Sequence, residues 1–119
     1  MKALDRVDRG LLLDLYGSLL TDRQREIWHL YYLEDWSLAE ISEFKGISRA
    51  AVYDVLERTE RVLADYEVRL GLLAAWQSRR QVLAELVAAV AALPPDTPGL
   101  SRIRPLVRRL AEEEGLSDV

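Results

Sequence analysis

Apolar positions along this chain recur mostly at spacings of three and four, which is the signature of amphipathic helices. In LDRVDRGLLLDLYGSLL, Leu4, Val7, Leu11, Leu12, Leu15 and Leu19 share a stripe, with Asp5, Arg6, Asp8, Arg9 and Asp14 largely opposite, so a first helix runs to about Leu19. Thr21 and Gln24 form a capping box that opens a second helix, whose stripe is Ile27, Leu30 and Tyr31 and which ends near Asp35. Ser37 and Glu40 form another box, so a third helix starts at Leu38 with Ile41 inward and Phe44 on the edge of its stripe. Trp36, just before that cap, is placed to staple against Ile41.

Gly46 supplies the left-handed backbone that ends this helix, and Ile47 plugs the corner. Ser48 caps the next helix, with Val52, Val55 and Leu56 inward and Arg49, Ala50, Tyr53 and Asp54 outward. Two capped rods joined by a glycine turn read as a helix-turn-helix, with an ordinary helical hairpin of a bundle as the alternative. From Arg49 to Leu93 no proline interrupts the pattern, which predicts one very long helix or two nearly collinear ones broken near Gly71. PPDTPG, residues 94–99, ends it, and a short terminal helix is expected from near Arg104 to Glu114. The organisation is therefore all-α: a helix-turn-helix head over residues 1–70, a continuation of the long helix over 71–93, and a proline break with a terminal helix over 94–119, all treated as one domain.

Along the long helix, Leu63, Tyr66, Leu70, Leu73, Trp76, Leu83, Leu86, Val90 and Leu93 form a stripe that a compact head cannot cover completely. At about 25 cal/mol per Å² of apolar surface, leaving it in water costs several kcal/mol. Either a partner, with a homodimer as the simplest, or the terminal helix folding back must cover it.

Composition narrows the chemistry. With 119 residues, half of them apolar, a real core is available, and the absence of cysteine removes disulfides and thiolate sites. The charged N-terminus MKALDRVDRG and the lack of any apolar run near ~20 residues point to a cytoplasmic chain without membrane insertion. The net charge is -4, and residues 1–70 hold 10 bases against 14 acids, so generic phosphate attraction is weak. Candidate nucleic-acid contacts are Ser48, Arg49, Ala50, Tyr53, Arg58 and Arg61, opposed by Asp54, Glu57 and Glu60 on the same helix. A second basic surface comprises Arg79, Arg80, Arg104 and Arg108, with Arg102 and Arg109 nearby; it is either a phosphate clamp or a solvated face paired with Glu112 and Glu113. Trp28, Tyr31, Tyr32 and Trp36 read mainly as packing residues, and the lone His29 as a surface residue without a second ligand. No metal, cofactor or small-molecule substrate is expected, and dispersed acids without a nucleophile predict no enzyme activity.

The blocks LYGSLLTDRQ, LYYLEDWSLAEIS and SRAAVYD resemble the YlxM (UPF0122) family of bacterial proteins, with similarity from about Val7 to Leu93. The resemblance implies an all-α protein with a head like sigma factor region 4 and a longer helical tail. It also implies a protein encoded alongside the signal recognition particle GTPase and acting as an accessory of that targeting pathway, in contact with the particle's RNA or GTPase. One departure is Phe44-Lys45-Gly46: the family typically has a bulky apolar residue immediately before the turn, so the Lys45 stem is expected to cover the gap. Three functions stay open from the residues: an adaptor of that pathway, a sequence-specific DNA-binding regulator, and an oligomerisation module.

Overall fold

A computed structural model describes residues 6–116 of the chain. Among them are six α-helices and no strand: α1 (Arg6–Tyr16), a 3-10 turn (Gly17–Leu19), α2 (Asp22–Tyr32), α3 (Leu38–Lys45), α4 (Arg49–Leu70), α5 (Leu72–Ala91) and α6 (Leu100–Glu113). The expected contributions of Leu4 and Asp5 to the first helix lie outside the described residues. The chain divides into two compact units, Met1–Leu73 and Ala74–Val119.

In the first unit the core is Leu12, Tyr16, Leu20, Ile27, Trp28, Ile41, Val52, Leu56 and Leu63, with Thr59 as a buried polar member. Each large side chain removed from water contributes on the order of 1.5–3 kcal/mol. Polar atoms that enter this core find backbone partners: Trp28 Nε1 donates to the Arg9 carbonyl at 3.0 Å, and Thr59 Oγ1 donates to the Val55 carbonyl at 2.7 Å.

The first helix stops earlier than its stripe predicts. At Gly17 the backbone tightens into the 3-10 turn, where a Cβ would lie 3.3 Å from Leu13 Cδ1. The tighter winding changes the phase of the chain, so Leu20 is buried and Leu19 is turned out, 54% exposed. Val7, also assigned to the inward stripe, is exposed. The second helix ends at Tyr32, because Asp35 adopts a left-handed conformation (φ 60°) and the Trp36 amide bonds back to the Leu30 carbonyl at 3.0 Å.

Gly71 ends α4 outright. It is left-handed (φ 63°, ψ 27°), and its amide donates to the Glu67 carbonyl at 2.8 Å. The start of α5 is then capped from elsewhere in the chain: the Leu72 amide donates to Tyr16 Oη at 3.1 Å and the Leu73 amide to Glu67 Oε1 at 2.9 Å. Tyr16 Oη in turn donates to Glu67 Oε1 at 2.7 Å. One buried hydroxyl and one carboxylate thus satisfy two amides that a helix start leaves without partners.

In the second unit, α5 and α6 form an antiparallel hairpin. Arg79 and Arg80 in the middle of α5 meet Glu114 after the end of α6, while Val90 and Ala91 share a cavity of about 150 Å³ with Arg104, Val107 and Arg108. The terminal helix begins at Leu100, four residues before the expected start, so Pro105 lies inside it. Pro105 removes the amide that the Ser101 carbonyl would accept from, but Ser101 is exposed, and burial of Leu100 and Ala111 holds the first turn in place.

This hairpin revises the expected partner stripe. Leu63, Leu73 and Leu83 are buried within the chain, so they offer nothing to a partner. Tyr66 is half-buried beside Tyr16, with ring centroids 5.8 Å apart; Trp76 lies under the Arg80 guanidinium at 4.8 Å; Val90 lines the hairpin cavity. Only Leu70, Leu86 and Leu93 of that stripe are exposed. The spacing of the stripe is real, but Gly71 breaks its phase and the fold uses most of it internally.

Tyr16→Phe removes the hydroxyl that caps α5 and leaves the Leu72 amide unpaired, which is expected to cost about 1–3 kcal/mol in urea unfolding at neutral pH. Burial first, and the hydrogen bond to Glu67 second, push the Tyr16 pKa above its ordinary 10.0. The native state favours the protonated phenol, so this stabilisation is complete below about pH 10 and is lost as pH rises through the native pKa. The difference in stability between wild type and Tyr16→Phe should therefore shrink in strongly alkaline solution.

Candidate nucleic-acid interface

The hairpin α3–α4 is assembled from local hydrogen bonds. Ser37 Oγ accepts from the Glu40 amide and Glu40 Oε1 accepts from the Ser37 amide, both at 3.0 Å. The Ser37 amide, then its side chain, hold the Glu40 carboxyl below its ordinary pKa, so the box is complete near neutrality and is lost as pH falls through that lowered value. At the turn, Gly46 is left-handed (φ 68°, ψ 33°), and the Ile47 amide donates to the Ser42 carbonyl at 3.2 Å. Ser48 Oγ then accepts from the Ala51 amide at 3.0 Å and starts α4.

Around this turn the side chains make two contacts that the spacing does not announce. Trp36 meets Phe44 edge to face, with centroids 5.3 Å apart, beside the fully buried Ile41 of the same helix as Phe44. Lys45 reaches across to Glu26 of α2, with Nζ 2.6 Å from Oε1. The lysine before the turn thus ties α3 to α2 by an ion pair.

α4 turns Val52, Leu56, Thr59 and Leu63 inward, which leaves Ser48, Arg49, Ala50, Tyr53 and Asp54 exposed on its first turns. Arg58 and Arg61 follow further along the same exposed side, yet neither cation is uncompensated. Arg58 Nε lies 3.0 Å from Asp54 Oδ2, and Arg61 Nη2 lies 2.6 Å from Glu57 Oε1. Arg69 is matched in the same way by Asp65 at 3.0 Å. Such exposed pairs stabilise a helix by only about 0.3–0.5 kcal/mol, so a phosphate can displace the carboxylate but not move it away. Among the described residues, Arg49 is the one arginine of α4 with no carboxylate partner.

Beside Tyr53 lies a cleft of about 100 Å³, lined by Tyr31, Tyr32, Leu38, Leu56, Glu57 and Glu60. Its position is not legible in the sequence, because it needs α2 and α4 side by side. Tyr31 and Tyr32 stand perpendicular at 4.9 Å, Trp28 packs on Tyr32 at 4.4 Å, and Arg9 lies over the Tyr32 ring at 5.0 Å while pairing with Glu60. Trp28 is fully buried, so its ring is closed to a ligand. His29 Nε2 sits 3.0 Å from Glu34 Oε1 near the surface, and no group of three metal-ligating side chains occurs among the described residues.

The second basic surface is divided. Arg79 Nε pairs with Glu114 Oε1 at 3.2 Å and Arg80 donates to the Glu114 carbonyl at 2.7 Å, so these two hold the end of α6. Arg104 and Arg108 are exposed at the hairpin cavity and make no ion pair among the described residues. Glu113 is taken by Arg109 at 3.2 Å.

Residues 5–93 match the UPF0122 family, described as "Putative helix-turn-helix protein, YlxM / p13 like". The chain is similar to a UPF0122 protein of Symbiobacterium thermophilum, 49% identical over 90 residues that cover 76% of this chain and 82% of the relative. A UPF0122 protein of Halalkalibacterium halodurans is 51% identical over 88 residues, covering 73% and 81%. A third, from Caldanaerobacter subterraneus, is 60% identical over 63 residues, covering 53% and 54%. The loop from residue 94 onward and all of α6 lie beyond the family match.

A methyl group added at Gly46 would meet nothing within 4 Å, so Gly46→Ala is opposed by backbone conformation alone. The expected cost is about 1–2 kcal/mol in chemical denaturation, with helix content by circular dichroism unchanged.

Proposed function

We propose that this chain, which belongs to the YlxM / p13-like UPF0122 family of helix-turn-helix proteins, is a cytoplasmic accessory adaptor of the signal recognition particle pathway. It offers the first turns of α4 to the particle's RNA or GTPase and catalyses no reaction of its own. The observation that carries this reading is charge compensation on α4. A sequence-specific DNA reader needs several cations free to neutralise phosphates, whereas here Asp54 and Glu57 already sit on Arg58 and Arg61. What remains is Arg49 with Tyr53 beside an aromatic cleft, a surface suited to an unstacked base or a protein anchor.

The competing reading, a DNA-binding regulator, is favoured by one observation. Arg49, Ala50 and Tyr53 are exposed on the N-terminal turns of the second hairpin helix, the part that enters a major groove in helix-turn-helix complexes.

Gel shifts with the particle's RNA and with genomic DNA fragments, and capture by the immobilised targeting GTPase, separate the two. The adaptor reading expects binding to the RNA or the GTPase that falls roughly tenfold in Arg49→Ala, a loss of about 1.4 kcal/mol. Binding to DNA is expected to be weak and non-selective. Selective binding of one DNA sequence that depends on Arg49 overturns it. The double substitution Asp54→Asn with Glu57→Gln should strengthen binding to any nucleic acid and steepen its salt dependence, because Arg58 and Arg61 are released to phosphate.

A further inference from the structure

The hairpin of α5 and α6 leaves one of its two faces apolar. Val82 and Leu86 of α5, Leu93 just after it, and Ile103, Leu106 and Leu110 of α6 are each between 37% and 62% exposed. At 100° per residue, the first three lie on one flank of α5, next to the side that buries Leu83. The other three lie on one flank of α6, next to the side that buries Leu100 and Ala111. The cavity lined by Val87, Val90, Ala91, Arg104, Val107 and Arg108 lies between the two helices, on the sides that bury Leu83, Leu100 and Ala111 and away from the exposed flanks. Antiparallel packing therefore brings the two exposed flanks together on the remaining face, as one stripe along the hairpin.

We infer that this face is the contact through which a second copy of the chain binds, the two hairpins making an antiparallel four-helix bundle. The observation that selects a second copy is that the hairpin rims are complementary to each other. The pairing of Arg80 with Glu114, and of Val87 with Val107 across the hairpin, puts Glu85 level with Arg109. Glu85, on the outer edge of α5, makes no ion pair among the described residues, and the outer edge of α6 carries Arg102 and Arg109, the latter paired one turn on with Glu113 at the exposed surface, where a second carboxylate can share it. A two-fold axis parallel to the helices stacks α5 of one copy on α6 of the other at the same level. Each Glu85 then faces Arg109 of the partner subunit on the rim of an apolar interior, the arrangement that flanking charges take in coiled coils. The alternative axis, perpendicular to the helices, stacks like on like and gives Glu85 no arginine of the partner subunit.

The contact keeps Leu86 and Leu93 of the stripe that the sequence suggests and otherwise differs from it, since Leu63, Leu73 and Leu83 are interior and half of the new face comes from α6, which the family match does not include. It uses no residue of α4 and does not depend on what the first turns of that helix bind.

Sedimentation of the full chain over a range of concentrations tests it. The expected mass at high concentration is twice 13.6 kDa. Leu106→Glu combined with Leu86→Glu is expected to weaken the dimer by roughly tenfold or more, since each places a charge in the apolar interior. Val68→Glu, at a residue 71% exposed on α4, should leave the dimer unchanged. Glu85→Arg should weaken it and Arg109→Glu in the same chain should restore it; both residues are exposed, so this pair keeps the test valid if the leucine variant misfolds. A mass of 13.6 kDa at every concentration overturns the inference, as does a dimer indifferent to all of these substitutions. Binding of a monomer to anionic phosphatidylglycerol vesicles that Leu106→Glu abolishes also overturns it, because the face would then serve lipid.

Discussion

A phenol buried in a helical core must find hydrogen-bond partners, and the partners of Tyr16 organise the join between helices. Its hydroxyl donates to Glu67 and accepts from the Leu72 amide, while Glu67 also accepts from the Leu73 amide. The three bonds link α1, the end of α4 and the start of α5. They let Gly71 act as a full stop, because the new helix start finds its caps ready-made. Without them the amides of Leu72 and Leu73 would favour continuing α4, and the buried phase of Leu63 would run on into the tail. The head would then leave a longer apolar stripe in water.

Charge on α4 is constrained in a related way. Its inward face is committed to the core through Val52, Leu56 and Leu63, so only the outward face is free for a ligand. On that face each arginine after the first turn has an acid one turn before it: Asp54 before Arg58, Glu57 before Arg61, Asp65 before Arg69. These pairs add little stability, but they lower the positive potential of the helix. The proposed recognition then rests on few groups, Arg49 and Tyr53 with the cleft between α2 and α4, and favours shape and stacking over phosphate neutralisation.

Short-range chemistry is legible in the sequence with good fidelity. Both capping boxes, the left-handed Gly46 and the Ser48 cap occur as their spacing predicts, since each depends on atoms within a few residues. The outward orientation of Arg49 and Tyr53 is legible for the same reason. The spacing misleads where a local pattern competes with a distant partner. Leu19 lies on the helical stripe, but the tightening at Gly17 gives its buried place to Leu20. Pro105 reads as a helix start, but burial of Leu100 carries the helix past it.

By itself, then, the sequence determined the all-α class, the helix-turn-helix with its caps and turn, and the side of α4 that faces water. Hydrogen-bond reach and helical periodicity act over a few residues, and both are written in spacing. Only the tertiary structure decided where the long helix ends, which leucines of its stripe are interior, which arginines hold α6 rather than a ligand, and that α5 and α6 share an exposed apolar face. Those outcomes depend on residues far apart in the chain, such as Tyr16 and Glu67 or Arg80 and Glu114, coming within hydrogen-bond distance. A periodic pattern says that a face must be covered, and packing alone says by what.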